Sequence, residues 1–294
     1  MLDSLDLPHI LIYGGALIFT GALGGFVAGL LGVGGGIVIV PVLFHIFTLL
    51  GIDDDVKMHL AVGTSLSTII LTSAMSVGAH WRRGAVDTTL LKRWGVAIFL
   101  GVVAGTSLAL YAKGPVLMAV FGVVALIVSL HMAFARPSWR IAGKLPGGLT
   151  EQVLAGGIGG LSAMMGIGGG TLSVPTLSLF GYPIHKAVGT AAAIGFLIGV
   201  PGTISFVLSG LGEAGLPPFS LGYVSLMGLA LIAPASIALA PVGAWAAHAL
   251  PVRGLKLAFA AFLFVTALRM LWSVLGWPET KRPGPYRPRP RRLL

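Results

Sequence analysis

The chain of 294 residues is 56% hydrophobic and only 10% charged, with a mean hydropathy of +0.96. Soluble domains carry about 25% charged residues, so this composition excludes a soluble globular protein and points to an integral membrane one; the absence of cysteine excludes disulfides and thiolate metal sites. Half of the formal charge of +10 lies in a proline-rich C-terminal tail with no aromatic platform beside it, which argues against nucleic-acid binding.

In chain order, Met1 to His9 holds two aspartates and no basic residue, so it lacks the positive n-region of a cleaved signal. The first hydrophobic stretch is expected to be a retained membrane segment. Stretches long enough to span, about 20 residues each, fall near 10–50, 58–80, 91–111, 115–135, 150–181, 184–209, 221–249 and 254–275. The fold class expected is all-α, a polytopic membrane protein of about eight segments in two homologous halves.

The first and fifth stretches exceed one crossing, and each is broken by glycine. Gly32-Val33-Gly34-Gly35-Gly36 leads to Pro41, and Gly166-Ile167-Gly168-Gly169-Gly170 leads to Pro175; the two twelve-residue windows agree at seven positions. Consecutive glycines cost a helix roughly 1 kcal/mol each against alanine, and proline removes a backbone donor. In lipid the freed N–H and C=O groups must be buried in protein or line a polar cavity. Broken helices at matching places in two halves are the sequence mark of a transporter's binding site.

A second pair of motifs follows the breaks: His59-Leu60-Ala61-Val62-Gly63-Thr64 matches His185-Lys186-Ala187-Val188-Gly189-Thr190 at five of six positions. The predicted organisation is a first membrane repeat over 1–135, a cytoplasmic linker over 136–149, a second repeat over 150–277 and a disordered basic tail over 278–294. Arg82, Arg83, Lys92 and Arg93, then Arg136, Arg140 and Lys144, then the tail (Lys281, Arg282, Arg287, Arg289, Arg291, Arg292) are all expected on the cytoplasmic side by the positive-inside rule. That count makes the halves parallel if each broken segment crosses once. A re-entrant hairpin at each break would change the parity and allow an inverted repeat.

Candidate binding groups are few. No span centre carries Asp or Glu, which disfavours a carboxylate cation site or an acidic proton relay. What remains is backbone N–H at Gly34, Gly35, Gly36, Gly168, Gly169 and Gly170, the hydroxyls of Thr64, Ser65 and Thr190, the histidines His59 and His185, which could donate to an anion, and the cation Lys186. All of these suit an anion, since a half-helix N-terminus presents unpaired N–H groups and partial positive charge. Each has a plainer reading too. The glycines could serve close helix crossings, the histidines could sit at the interface facing water, Lys186 could snorkel, and the hydroxyls could bond to backbone or to a neighbouring helix. Neither glycine break is followed by the Lys-Ser/Thr of a phosphate-binding loop, and HExxH and GxSxG are absent, so no enzyme is expected and no cofactor.

On the paired G-x-G-G-G-x-x-x-x-P signatures (Gly32 to Pro41, Gly166 to Pro175), the paired H-x-A-V-G-T elements and the eight-segment layout, the chain resembles the sulfite exporter TauE/SafE family of membrane permeases. The resemblance covers nearly everything except the tail. It implies a bacterial-type inner-membrane carrier of small anions, often sulfur oxyanions such as sulfite or organosulfonates. The reading that follows is a secondary transporter, an exporter by alternating access between the halves, with a proton or sodium ion as possible coupling partner and anionic lipid at the tail. The rivals are an anion channel and a non-transporting membrane receptor or scaffold.

Overall fold

Each glycine break ends one helix and starts a shorter one, so the eight segments become ten helices among the described residues. The computed structural model describes residues 7–31, 35–134, 140–213, 215–249 and 252–275. The first half holds α1 (Leu7–Leu31), α2 (Gly36–Leu49), α3 (Asp54–Arg82), α4 (Thr88–Tyr111) and α5 (Gly114–Phe134). The second holds α6 (Gly148–Met165), α7 (Gly170–Leu179), α8 (Ile184–Ser209), α9 (Leu226–Ala249) and α10 (Val252–Val274). A two-rung antiparallel ribbon, β1 (Ser220–Leu221) with β2 (Val224–Ser225), precedes α9.

Six of these helices are long and apolar enough to cross a membrane. Their outward faces carry the lipid-facing residues, while an i, i+3, i+4 stripe turns inward. On α4, Trp94, Ile98, Val102, Gly105 and Ala109 are buried, and Phe99, Leu100, Val103 and Leu108 are exposed. Asp53 and Asp87 cap α3 and α4 by accepting from amides two or three residues on.

The packing is symmetric under exchange of the halves. Helix α1 lies on α9 as α6 lies on α4, α2 on α3 as α7 on α8, and α3 on α9 as α8 on α4; α3 with α8 and α5 with α10 pair across the exchange. Small residues let the outer pairs touch. A Cβ on Gly21 or Gly25 would lie 2.4 or 2.2 Å from the carbonyl oxygen of Ile232 or Ser236, and one on Gly101 or Gly105 would lie 2.0 or 2.3 Å from that of Gly156 or Gly160. These are small-xxx-small crossings, a signal present in the sequence and missed in reading it.

Helix directions follow from these contacts. Gly21 meets Ile232 and Gly25 meets Ser236, so α1 runs parallel to α9. Trp94 meets Glu151 and Gly105 meets Gly160, so α4 and α6 are parallel as well. The α7 helix has 10 residues, about 15 Å, half of a hydrocarbon core of about 30 Å. Its end is tied to the linker by Ile141 N–H to the Leu179 carbonyl at 2.8 Å, beside the start of α6. Thus α6 and α7 form a hairpin entering and leaving at one end of the bundle. The α1–α2 hairpin does the same from the opposite end, and the repeat is inverted.

One end, termed basic, collects Arg82, Arg83, Lys92, Arg93, Arg140, Lys144 and Lys186. The other, termed acidic, holds Asp53, Asp54, Asp55 and Glu213 with Lys57 and Lys113. Of the two arrangements the sequence leaves open, parallel and inverted halves, the hairpins give the inverted one, because neither broken segment crosses as one piece. A crevice lined by His45 and Thr48 of α2, Lys57 of α3 and Arg269 and Ser273 of α10 places the end of α10 at the acidic end. The tail itself, like Arg136, lies outside the described residues.

Candidate functional site

The two breaks meet at mid-height, against the central pair α3 and α8. A Cβ on Gly36 would fall 2.4 Å from the Gly166 carbonyl oxygen and 3.0 Å from Ile167 Cα, with Ile69 of α3 beside them. Ser65 Oγ of α3 donates to the Gly166 carbonyl at 2.7 Å. Gly166 ends α6 in the left-handed conformation at φ 66°, which glycine adopts without a steric penalty. On the other side, a Cβ on Gly169 would lie 2.6 Å from the Gly195 amide and 2.8 Å from the Ala191 carbonyl oxygen of α8. The close-crossing role of the glycines is thus real at this junction. Gly35 and Gly36 are buried with Gly168, Gly169 and Gly170, while Gly34 lies outside the described residues.

The breaks differ in what they offer. The first continues into Ile37, Val38, Ile39 and Val40, all buried. The second continues into buried Thr171 and Ser173, with the buried Ser162 hydroxyl in the last turn of α6, unpartnered among the described residues. Ser173 Oγ donates back to the Gly169 carbonyl. Among the described residues the amides of Gly168, Gly169 and Gly170 donate to no acceptor, whereas those of Thr171 and Ser173 reach the Gly168 and Gly169 carbonyls. Orphan amides at a helix start are expected; burying them at the centre of a membrane protein leaves them to a ligand or to water.

The H-x-A-V-G-T motifs have a matched mechanical role. Thr64 Oγ1 accepts the Ser225 amide at 2.9 Å, and Thr190 Oγ1 accepts the Asp87 amide at 2.9 Å. Ser225 and Asp87 stand immediately before α9 and α4, equivalent helices of the two halves. The preceding glycines let the loops approach: a Cβ would lie 2.2 Å from the Tyr223 carbonyl oxygen at Gly63 and 2.5 Å from the Ala85 carbonyl oxygen at Gly189. Each motif therefore seats the loop that opens its partner helix.

The paired histidines part company. His59 is buried, its ring nitrogens 3.0 Å from the carbonyl oxygens of Asp55 and Ala109, with the tilted ring of Tyr223 at 5.1 Å between centroids. His185 and Lys186 are exposed at the start of α8. None of the three reaches the glycine junction; Lys186 instead acts electrostatically on Asp87.

Sequence reading missed the polar lock at the basic end. Glu151, in the first turn of α6, is buried and accepts from Trp94 Nε1 at 2.8 Å and from the Arg93 guanidinium. Its signal was a lone acid at a helix start inside an apolar stretch. Next to it, Tyr182 OH donates to Asp87. That bond, ahead of the Leu90 and Thr89 amides and Lys186, holds the Asp87 carboxyl below its ordinary range against desolvation. Burial, then the bond to Asp87, raises the Tyr182 hydroxyl. Every described carboxylate thus sits at an end of the bundle. Among the described residues no cluster of His, Asp and Glu could hold a metal.

An inverted pair of five-helix repeats with half-helices meeting at the midplane defines a polytopic membrane transporter. The comparisons say the same. The chain matches the sulfite exporter TauE/SafE family over residues 17–270, and it belongs to that family. It is 33% identical over 254 residues to a "Probable membrane transporter protein" of Haemophilus influenzae, covering 86% of this chain and 96% of that protein. Proteins of the same description from Methanocaldococcus jannaschii and Bacillus subtilis are 29% and 31% identical, over 71% and 66% of this chain and 77% and 78% of theirs. No solved structure matches.

Proposed function

We propose that this transporter is a secondary carrier that exports a small anion, a sulfur oxyanion such as sulfite or an organosulfonate, by alternating access between repeats 1–135 and 150–277. The observation that carries the reading is the N-terminus of α7. Three buried amides, Gly168 to Gly170, lack acceptors among the described residues, and Thr171, Ser173 and Ser162 surround them with hydroxyls. Helix-terminal donors favour negative charge by up to about 2 kcal/mol when partly buried, and among the described residues no carboxylate stands near the junction to oppose that preference. The apolar first break serves as the opposing wall. An inside-negative potential drives anion export without a partner ion, while uptake would need a coupled proton or sodium. The basic loops face the cytoplasm of a bacterial-type inner membrane, and the tail, which follows the opposite end of α10, meets the headgroups of the other leaflet.

Proteoliposomes loaded with sulfite, a sulfonate, a neutral polyol or an amine test the charge preference. Saturable efflux of sulfite or sulfonate is expected; transport of the polyol or amine with no response to either anion would overturn it. Ser162→Ala should fold normally and weaken anion binding roughly tenfold, the loss of one hydrogen bond to a charged group at about 1.5 kcal/mol.

A further inference from the structure

A cavity of about 480 Å³ opens sideways between α3, α4 and α8, lined by Ala74 and Val77, by Leu91, Lys92 and Gly95, and by Ala193 with its α8 neighbours. It opens on the outer face of α3 and α8, opposite the face that packs on the second glycine break: Ala74, Lys92 and Phe196 on its walls are exposed, while the neighbouring Ser73, Ile194 and Gly195 point inward, the last two against Gly169. Apart from Lys92, its walls are apolar. Gly95 is the informative residue. A Cβ there would meet nothing within 4 Å, so this glycine makes no close crossing, yet mid-helix glycine is disfavoured against alanine. With Ala74 and Ala193 it keeps open a slot that larger side chains would close.

We propose that this slot is a binding site for one anionic membrane phospholipid, its acyl chain in the groove and its headgroup on the Lys92 ammonium. The outward, apolar opening at membrane depth fits a lipid tail. The charge fits an anionic headgroup, because Lys92 stands at the rim and Arg82 and Arg83 follow where α3 ends. Since α3 and α4 come from one repeat and α8 from the other, the lipid touches both. The site is separate from the anion junction, and its test does not depend on transport.

Native mass spectrometry of the full chain from mixed phosphatidylglycerol and phosphatidylcholine counts retained lipids. Gly95→Leu, whose side chain enters the open slot, should retain one phosphatidylglycerol fewer than wild type, with unchanged thermal unfolding in lipid-free detergent. Lys92→Gln, an exposed change, should cut the preference for phosphatidylglycerol over phosphatidylcholine roughly fivefold, as expected for one headgroup cation. Wild-type retention and preference in both variants would overturn the site, and Lys92→Gln alone decides it if Gly95→Leu does not fold.

Discussion

Thr64 and Thr190 were candidate ligand groups by type and place, and each spends its hydroxyl oxygen on the amide before a neighbouring helix. Thr64→Val should leave the Ser225 amide buried without an acceptor and destabilise the protein by about 1–3 kcal/mol, read as a lowered thermal midpoint, with anion affinity unchanged. An equally stable Thr64→Val with weakened anion binding would return Thr64 to the site. The motif was legible in the chain at five of six positions, but its purpose was not. The partner of Thr64 lies 161 residues away, and no local spacing reveals which amide a hydroxyl will face. Ser65, the residue just after the motif, does reach the junction, so neighbours one position apart serve different ends on different faces of α3.

Among the elements, the hairpins matter most. The places of the breaks were readable from glycine and proline alone, and so was the short second arm. Their direction was not, because Lys and Arg counts weigh the tail equally with the loops, and α10 ends opposite the loops. The α6–α7 hairpin is held at the basic end by Glu151 to Arg93 and Trp94, and the α7–α8 turn by Tyr182 to Asp87. Folding lowers the Asp87 carboxyl below its ordinary value. Its stabilisation is therefore complete above the ordinary carboxylate range and is lost as pH falls through the lowered native value. Asp87→Asn should reduce the thermal midpoint at neutral pH, and the gap from wild type should close on acidification. A gap that persists at low pH would show that the bond to Tyr182 does not depend on the charge.

For the whole molecule, the inverted arrangement makes a sidedness prediction in a chain free of native cysteine. Cysteines at Ala85 and Lys144 should label from one side of the membrane, and those at Gly51 and Lys113 from the other. A cysteine at Tyr286 in the tail should label with Lys113, since α10 ends at the acidic end. Labelling of Ala85 and Lys113 from the same side would refute the hairpin topology, and labelling of Tyr286 with Ala85 would refute the direction of α10.

The two threonine seats are near copies of one latch, installed once toward each end of the molecule. A carrier that must open first one way and then the other needs the two closures to balance within a few kcal/mol, or it would rest permanently on one side. Weakening a single latch tips that balance. Thr190→Val loosens the basic end and Thr64→Val the acidic end, so the two substitutions should push the resting population in opposite directions. Maleimide labelling rates at a reporter cysteine replacing Ser162 would rise from one side in the first variant and from the other side in the second. Matching shifts in both would mean that the seats only hold the fold. Opposite shifts would make this duplicated bond the tuning screw of the resting orientation, adjustable by one methyl-for-hydroxyl exchange at either end.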